Sequence, residues 1–523
     1  MTSRVEHLTL GPLDHLPPRH YTRFAIYLPL KPGASYATAF AELQRGLRKT
    51  FLQLPWLNGK VFWQPKKTPG WRPGQLEVQY TPMAADGPAP WQFKYNELAS
   101  DVDIEELRET GFPTDTFTDQ EVLWAPFAPD MRKGADVFIG QANFMPGACV
   151  LCAAIFHSVA DGMADVTIFK LWAAHTRGDE GGGASDLVLP ADSADRGALE
   201  RLWDKERSGT PLEKMDKPAA WNIVGLEAPG AAAGQKRGRC GALANKSARR
   251  WRHSMKREGG RVVLRLAIKV KGEAKAIDSL LAASTKEPEL KSRMFYISPA
   301  NFAALKRACA EGGQLVSGND AVCALLWRSL MRARIAAEQA ASDAADEEGD
   351  SRIEMTVDGR HHLSLPPTYL GNVVLLSRAT LPRPVIAAPD TTLSQVAQVL
   401  RAAGDGISPS SALDAYSLAR SLEGYDRFDE RATPVAGARM LVTSLLTMPA
   451  SGIGFGDRGV FANEGRAEAI RPLMGAFNKY FRICFIMPPK SYGGIEVVFN
   501  LSDAEMDILL QDEEFEKYAM QLN

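Results

Sequence analysis

The stretch Ala148-Cys149-Val150-Leu151-Cys152-Ala153-Ala154-Ile155-Phe156-His157-Ser158-Val159-Ala160-Asp161-Gly162 decides how this chain reads. An apolar run of that length, ending abruptly at His157, predicts a strand buried on both faces. His157 then stands at the strand end, where a fixed backbone opens into a cleft. Asp161 can fold back across a turn, either to set the tautomer of the imidazole or to hold the loop through an arginine. Gly162 removes a side chain where a ligand can approach. A lone His-x-x-x-Asp recurs by chance. A structural histidine with a loop aspartate nearby is therefore the competing reading until other motifs are counted.

Outward from this stretch the order continues. Tyr36, Phe40, Leu43, Leu47, Phe51 and Leu54 recur at helical spacing, predicting a helix over 35–54 that Pro55 stops. Met163, Val166, Phe169 and Trp172 predict a helix after Gly162. From about His175 to Arg261 the chain is rich in Gly, Ala, Ser and charge. So long a weakly patterned stretch reads as an inter-domain linker, with a short helix at Ala198 to Glu206. Beyond it, Met294–Ile297 reads as a strand, and Ser298-Pro299 caps a helix to about Cys309. Asn319 to Arg334 reads as a helix, Tyr369 to Ser377 and Ile495 to Leu501 as strands. Ser502-Asp503-Ala504-Glu505 is a capping box.

The 523 residues suit two to four domains, and 45% hydrophobic with 24% charged residues is ordinary globular composition. A net charge of −1 argues against a globally basic nucleic-acid binder. That sum hides a basic block, Lys236 to Arg261, and an acidic one, Glu338 to Glu354, both read as solvated loops. Six cysteines are too few for a disulfide scaffold. No secretory signal and no membrane-length apolar run is visible. The expectation is a soluble, cytoplasmic protein with reduced thiols.

His157-x-x-x-Asp161-Gly162 after an apolar strand resembles the signature of the BAHD acyltransferases, which are distantly similar to chloramphenicol acetyltransferase and peptide-synthetase condensation domains. Further matches follow in family order. Leu10-Gly11-Pro12-Leu13-Asp14 and Pro55-Trp56-Leu57-Asn58-Gly59 resemble N-terminal landmarks. Asn319 to Arg328, with Arg332-Ala333-Arg334, resembles the central helix. Val357-Asp358-Gly359-Arg360 and Tyr369-Leu370-Gly371-Asn372 resemble two later motifs. Six ordered matches span nearly the whole chain, and the fungal trichothecene 3-O-acetyltransferase-like branch is the most similar. One motif departs. Where the family carries Asp-Phe-Gly-Trp-Gly, this chain has Gly454-Phe455-Gly456-Asp457-Arg458, so only Phe455 and Gly456 persist. The plant enzymes' Thr-Ser-Trp becomes Thr443-Ser444-Leu445.

The resemblance implies an α/β fold of two chloramphenicol acetyltransferase-like lobes, mixed sheets with flanking helices and a solvent channel between them. Residues 1–180 would form the first lobe, 181–262 a partly disordered crossover linker, and 263–523 the second lobe, with a segment near 443–472 crossing back. It implies direct acyl transfer from acyl-CoA, acetyl-CoA foremost, to a hydroxyl of a secondary metabolite. His157 would be the general base, Thr443 the oxyanion donor and Asp161 a loop brace. No permanent cofactor or metal is expected, and acyl-CoA is a co-substrate whose contact residues no motif marks. The expected partners are that donor and a small-molecule alcohol, with no nucleic acid and no membrane, for a monomer. The alternatives are an N-acyltransferase, a carrier-protein-dependent condensation-type enzyme of the same fold, or an inactive binding module.

Other features read as structure. Cys149-x-x-Cys152 has redox spacing, but on a strand those positions face opposite ways. His361-His362 lacks a ligand cluster. Gly452 to Gly456 lacks the strand–helix setting of a dinucleotide site. Trp56, Trp172 and Trp327 read as core. Arg360 can pair with Asp161, bind a CoA phosphate or cap the second lobe, and pairing is favoured.

Overall fold

The computed structural model describes residues 4–178, 189–228, 289–313, 315–341, 349–431 and 438–522. Ala148–Phe156 is a strand along its whole length, with all its residues buried. It occupies the middle of a five-stranded sheet ordered Ala469–Pro472, Tyr21–Pro29, Ala148–Phe156, Phe138–Met145, Phe93–Glu97. Antiparallel pairing with Tyr21–Pro29 sets Tyr21 opposite Phe156. One step past that pair, the His157 N–H donates to the His20 carbonyl at 3.0 Å.

Two helices cover the sheet. Tyr36–Gln53 starts at Ser35, whose side chain accepts from the Thr38 N–H. Gly162–Arg177 starts at Asp161, which accepts from the Ala164 N–H. They approach closely at Gly46, where a Cβ would stand 2.0 Å from Thr176 Oγ1 and 2.8 Å from its backbone. Trp172 donates to the Leu43 carbonyl at 2.8 Å, satisfying its one polar group in the core.

The second lobe is a seven-stranded sheet ordered Val374–Pro382, Asp350–Asp358, Arg439–Ser444, Ile483–Ile486, Ile495–Leu501, Lys291–Ile297, Met520–Gln521. The helix Gly318–Ala341 buries Val322, Leu325, Leu326, Trp327 and Leu330 against it. Helices Pro299–Cys309 and Asp503–Leu509 begin at Ser298 and at the Ser502–Glu505 capping box.

Several sequence expectations are corrected. The strand expected at Tyr369 to Ser377 begins only at Val374. The Tyr369 and Gly371 carbonyls are taken by Arg360 and the Asn372 N–H by Asp14, so this backbone is already satisfied by side chains. The helix after Asn319 runs on to Ala341, through alanine-rich sequence of high helix propensity. The acidic stretch is not a single loop, because Glu354 lies in a strand and pairs with Arg378 at 2.7 Å. His361 and His362 sit in a turn with ring centroids 5.7 Å apart, and no metal-ligand cluster occurs among the described residues. The described part of the expected linker holds helices Ala198–Arg207 and Pro218–Val224. Trp203 bonds Ser417 at 2.8 Å and Lys217 bonds Asp414 at 2.9 Å, fastening it to the helix Pro409–Ser421. The basic block Lys236 to Arg261 lies outside the described residues.

Thr443 belongs to the second sheet. Passage to the first lobe comes later. Ile453, Phe455, Val460 and Phe461 lie in the first lobe's core, and Ala469–Pro472 pairs with Tyr21–Pro29. Arg471 fastens the lobes, donating to Glu496 at 2.8 Å and to the Gly111 and Phe112 carbonyls at 2.8 Å each.

Candidate active site

A cavity of about 400 Å³ opens between the two sheets, with His157 on its wall. Val159 N–H closes a turn onto the Phe156 carbonyl at 2.8 Å, between His157 and Asp161. Both Asp161 oxygens are already engaged. Oδ1 accepts from Arg360 at 2.7 Å and Ala164 N–H at 3.0 Å; Oδ2 accepts from Arg360 at 3.0 Å and Val373 N–H at 2.9 Å. Burial alone would raise this carboxyl, but the Arg360 guanidinium and these hydrogen bonds hold it below its ordinary value. Arg360 also grips the Tyr369 and Gly371 carbonyls and Asp358. The pair thus ties the His157 loop to the second lobe.

His157 is depressed below its ordinary pKa, chiefly by burial, so the ring is neutral at pH 7. The carbonyls of His157 and Ala160, the Asp161 charge and the Asn372 side chain oppose that shift. Asn372 is itself anchored, with its N–H and Nδ2 donating to Asp14 Oδ1 at 2.9 and 3.2 Å. Arg196 completes the brace, reaching Asp14 at 3.0 Å and the Val159 carbonyl at 2.7 Å. Burial raises Asp14, while Arg196 and the Asn372 hydrogen bonds pull the other way.

Gly162 lies under the cavity, where a Cβ would come 2.6 Å from the Met448 terminal methyl, itself on the wall. Thr443 and Ser444 line the cavity from the end of their strand. Phe24, Phe477, Phe481 and Phe485 supply aromatic surface. His20 lies on the same wall, stacked on Phe127 at 4.7 Å, with its ring centroid 5.8 Å from that of His157. Sequence reasoning passed over His20 and Arg196. Only strand register reveals His20, and Arg196 is one more charge in a weakly patterned segment.

Residues 20–175 match the trichothecene 3-O-acetyltransferase-like N-terminal domain, and residues 269–516 match the Transferase family. The chain belongs to the BAHD acyltransferases. An eremophilane O-acetyltransferase of Penicillium roqueforti is 23% identical, with 98% of each chain covered. An isocyanide synthase–NRPS hybrid of Aspergillus fumigatus is 28% identical over 98% of this chain, which spans 31% of that hybrid's length. The structure of TRI101 from F. graminearum complexed with coenzyme A and T-2 mycotoxin has the same fold, at a TM-score of 0.70 and 17% identity, covering 99% of this chain and 100% of that one.

This BAHD acyltransferase keeps its degenerate motif away from the histidine. Phe455 packs edge-on against Trp172 at 5.5 Å, and a Cβ on Gly456 (φ +87°) would meet Arg177 Cγ at 2.7 Å. Arg177 donates to the Gly454 carbonyl, and Arg458 donates to the Arg177 carbonyl at 2.7 Å. The Arg177 contacts sit at the C-terminal end of the helix Gly162–Arg177, about 24 Å along its axis from Asp161. Of the residues singled out in the sequence, His157, Asp161, Gly162, Thr443 and Arg360 therefore line the cavity, Asn372 is buried on Asp14 behind it, and Phe455 and Gly456 brace the far end of one helix.

Proposed function

We propose that the protein transfers an acyl group, acetyl foremost, from acyl-CoA to a hydroxyl of a neutral, largely apolar secondary metabolite, with His157 as general base. The observation that carries this is a neutral imidazole at a strand end, on the wall of a cavity between the two lobes. The charged side chains on that wall are paired: Arg23 with Asp119 at 2.6 Å, Glu354 with Arg378, and Asp161 and Asp358 with Arg360. A neutral acceptor flanked by phenylalanines suits such a wall.

The acceptor O–H gives its proton to His157 as its oxygen bonds the thioester carbonyl carbon. The carbonyl electrons move onto oxygen, where the Thr443 hydroxyl is the donor. The oxyanion collapses, the C–S bond breaks, and the departing thiolate takes the proton back from His157. A general base accounts for about 10²–10⁴-fold, and holding both substrates together for about 7–11 kcal/mol of the barrier. Ser158 is fully buried, which argues against a covalent acyl-serine. The enzyme is proposed to be a cytoplasmic monomer; no described helix is long and apolar enough to cross a membrane. The test is acetyl-CoA with a panel of hydroxylated natural products and mass detection of ester. No His157-dependent ester would reject the proposal.

A second reading keeps the fold and takes the donor from a carrier protein. The hybrid relative that includes a nonribosomal synthetase motivates it. No CoA binding by calorimetry, with activity on an acyl-loaded carrier, would select it.

A further inference from the structure

His20 is a polar group that the proposed chemistry leaves unused. It stands directly opposite His157 in the strand register, and its ring lines the same cavity. Phe127 stacks on it at 4.7 Å with an interplanar angle of 18°, and Phe477 meets it edge-on at 6.0 Å, so the ring plane is fixed. Nδ1 lies 3.0 Å from the Tyr21 carbonyl, which can only accept, so Nδ1 carries the proton and Nε2 a lone pair. Among the described residues no hydrogen bond uses Nε2, and it is not among their sealed, unpartnered polar atoms. The residue is 9% exposed, and the cavity it lines is where that lone pair is accessible.

We propose that His20 Nε2 is a second hydrogen-bond acceptor of the substrate site, which selects alcohols carrying another hydroxyl one or two carbons from the acylated one. The proposal rests on the reading of His157 as the base that accepts the reacting hydroxyl. One hydroxyl has one proton, so it cannot donate to both imidazoles. With the rings 5.8 Å apart, two oxygens each about 2.8 Å from one ring nitrogen fit a vicinal or 1,3-diol. An acceptor lacking the second hydroxyl leaves a desolvated lone pair among aromatic rings, which disfavours its binding and transition state.

The experiment compares kcat/KM for cis-1,2-cyclohexanediol and cyclohexanol with acetyl-CoA, following thiol release. The wild type should favour the diol by about 10- to 100-fold, and His20→Phe, which keeps the stack on Phe127, should erase that ratio. His20→Gln places an amide oxygen near the Nε2 position and should restore much of it. Should His20→Phe melt early, His20→Leu against His20→Gln makes the same comparison. A ratio unchanged between wild type and His20→Phe, with both alcohols acylated, overturns this proposal alone. Wild type that acylates neither alcohol counts against transfer to small alcohols and takes this proposal with it.

Discussion

Replacing Asp161 by Asn tests whether this carboxylate braces the loop or serves the imidazole. Asn keeps a good helix cap and nearly the same volume, but it removes one buried charge opposite Arg360 and turns one of the two accepting oxygens into a donor. Both partners are 2% exposed, and the carboxylate accepts four hydrogen bonds. Leaving a buried guanidinium partly uncompensated costs about 3–5 kcal/mol. At about 1–2 °C per kcal/mol for a chain of this size, the melting temperature should fall by about 3–10 °C. Because the folded carboxyl lies below its unfolded value near ~3.9, this stabilisation is complete above that pH and is lost as pH falls through the folded value. A melt at pH 7 therefore reads all of it. The double variant Asp161→Leu with Arg360→Met should be less destabilised than the sum of its singles, because it strands no charge. In activity, Asp161→Asn should lower kcat and move the pH midpoint of kcat/KM only modestly downward, since Asp161 raises His157 through its charge alone and makes no hydrogen bond to it. An unchanged melting temperature with strictly additive singles would refute the brace. A midpoint moved by a full unit or more would return Asp161 to the imidazole.

Other consequences are open to direct measurement. The acidic limb of kcat/KM should have its midpoint below ~6.5, because burial disfavours imidazolium, and activity should persist into mildly acidic buffer; a midpoint above that value contradicts the neutral ring. Thr443→Val should lower kcat by about 10²-fold or more with little change in KM, while Thr443→Ser keeps most activity, if its hydroxyl holds the oxyanion. Gly46→Ala should lose about 1–3 kcal/mol in denaturant melts, because its methyl would overlap Thr176 in a tight helix–helix contact.

Local signals carried much of the fold. The uninterrupted apolar run gave a strand buried throughout, and the cap residues Ser298 and Ser502 marked true helix starts. Side-chain capture of backbone is not a local signal, and it misled at Tyr369 to Asn372, where Arg360 and Asp14 take groups that a strand would need. At the site, His157 and Thr443 were legible through resemblance to ordered motifs. Arg196 was not, because its partners Asp14 and Leu370 lie more than 170 residues away in opposite directions along the chain. His20 was hidden for a related reason: its place beside His157 depends on antiparallel register between two strands over 120 residues apart, and periodicity within one strand says nothing about its neighbour.

The central claim is that His157 removes the acceptor's proton inside the cavity. Its most direct measurement is single-turnover transfer from acetyl-CoA to an accepted alcohol by wild type and by His157→Ala, with coenzyme A binding to both checked by calorimetry. Base catalysis predicts a loss of about 10²–10⁴-fold in the transfer rate with donor affinity nearly intact. Transfer within a few-fold of wild type in a variant that still binds coenzyme A would contradict it.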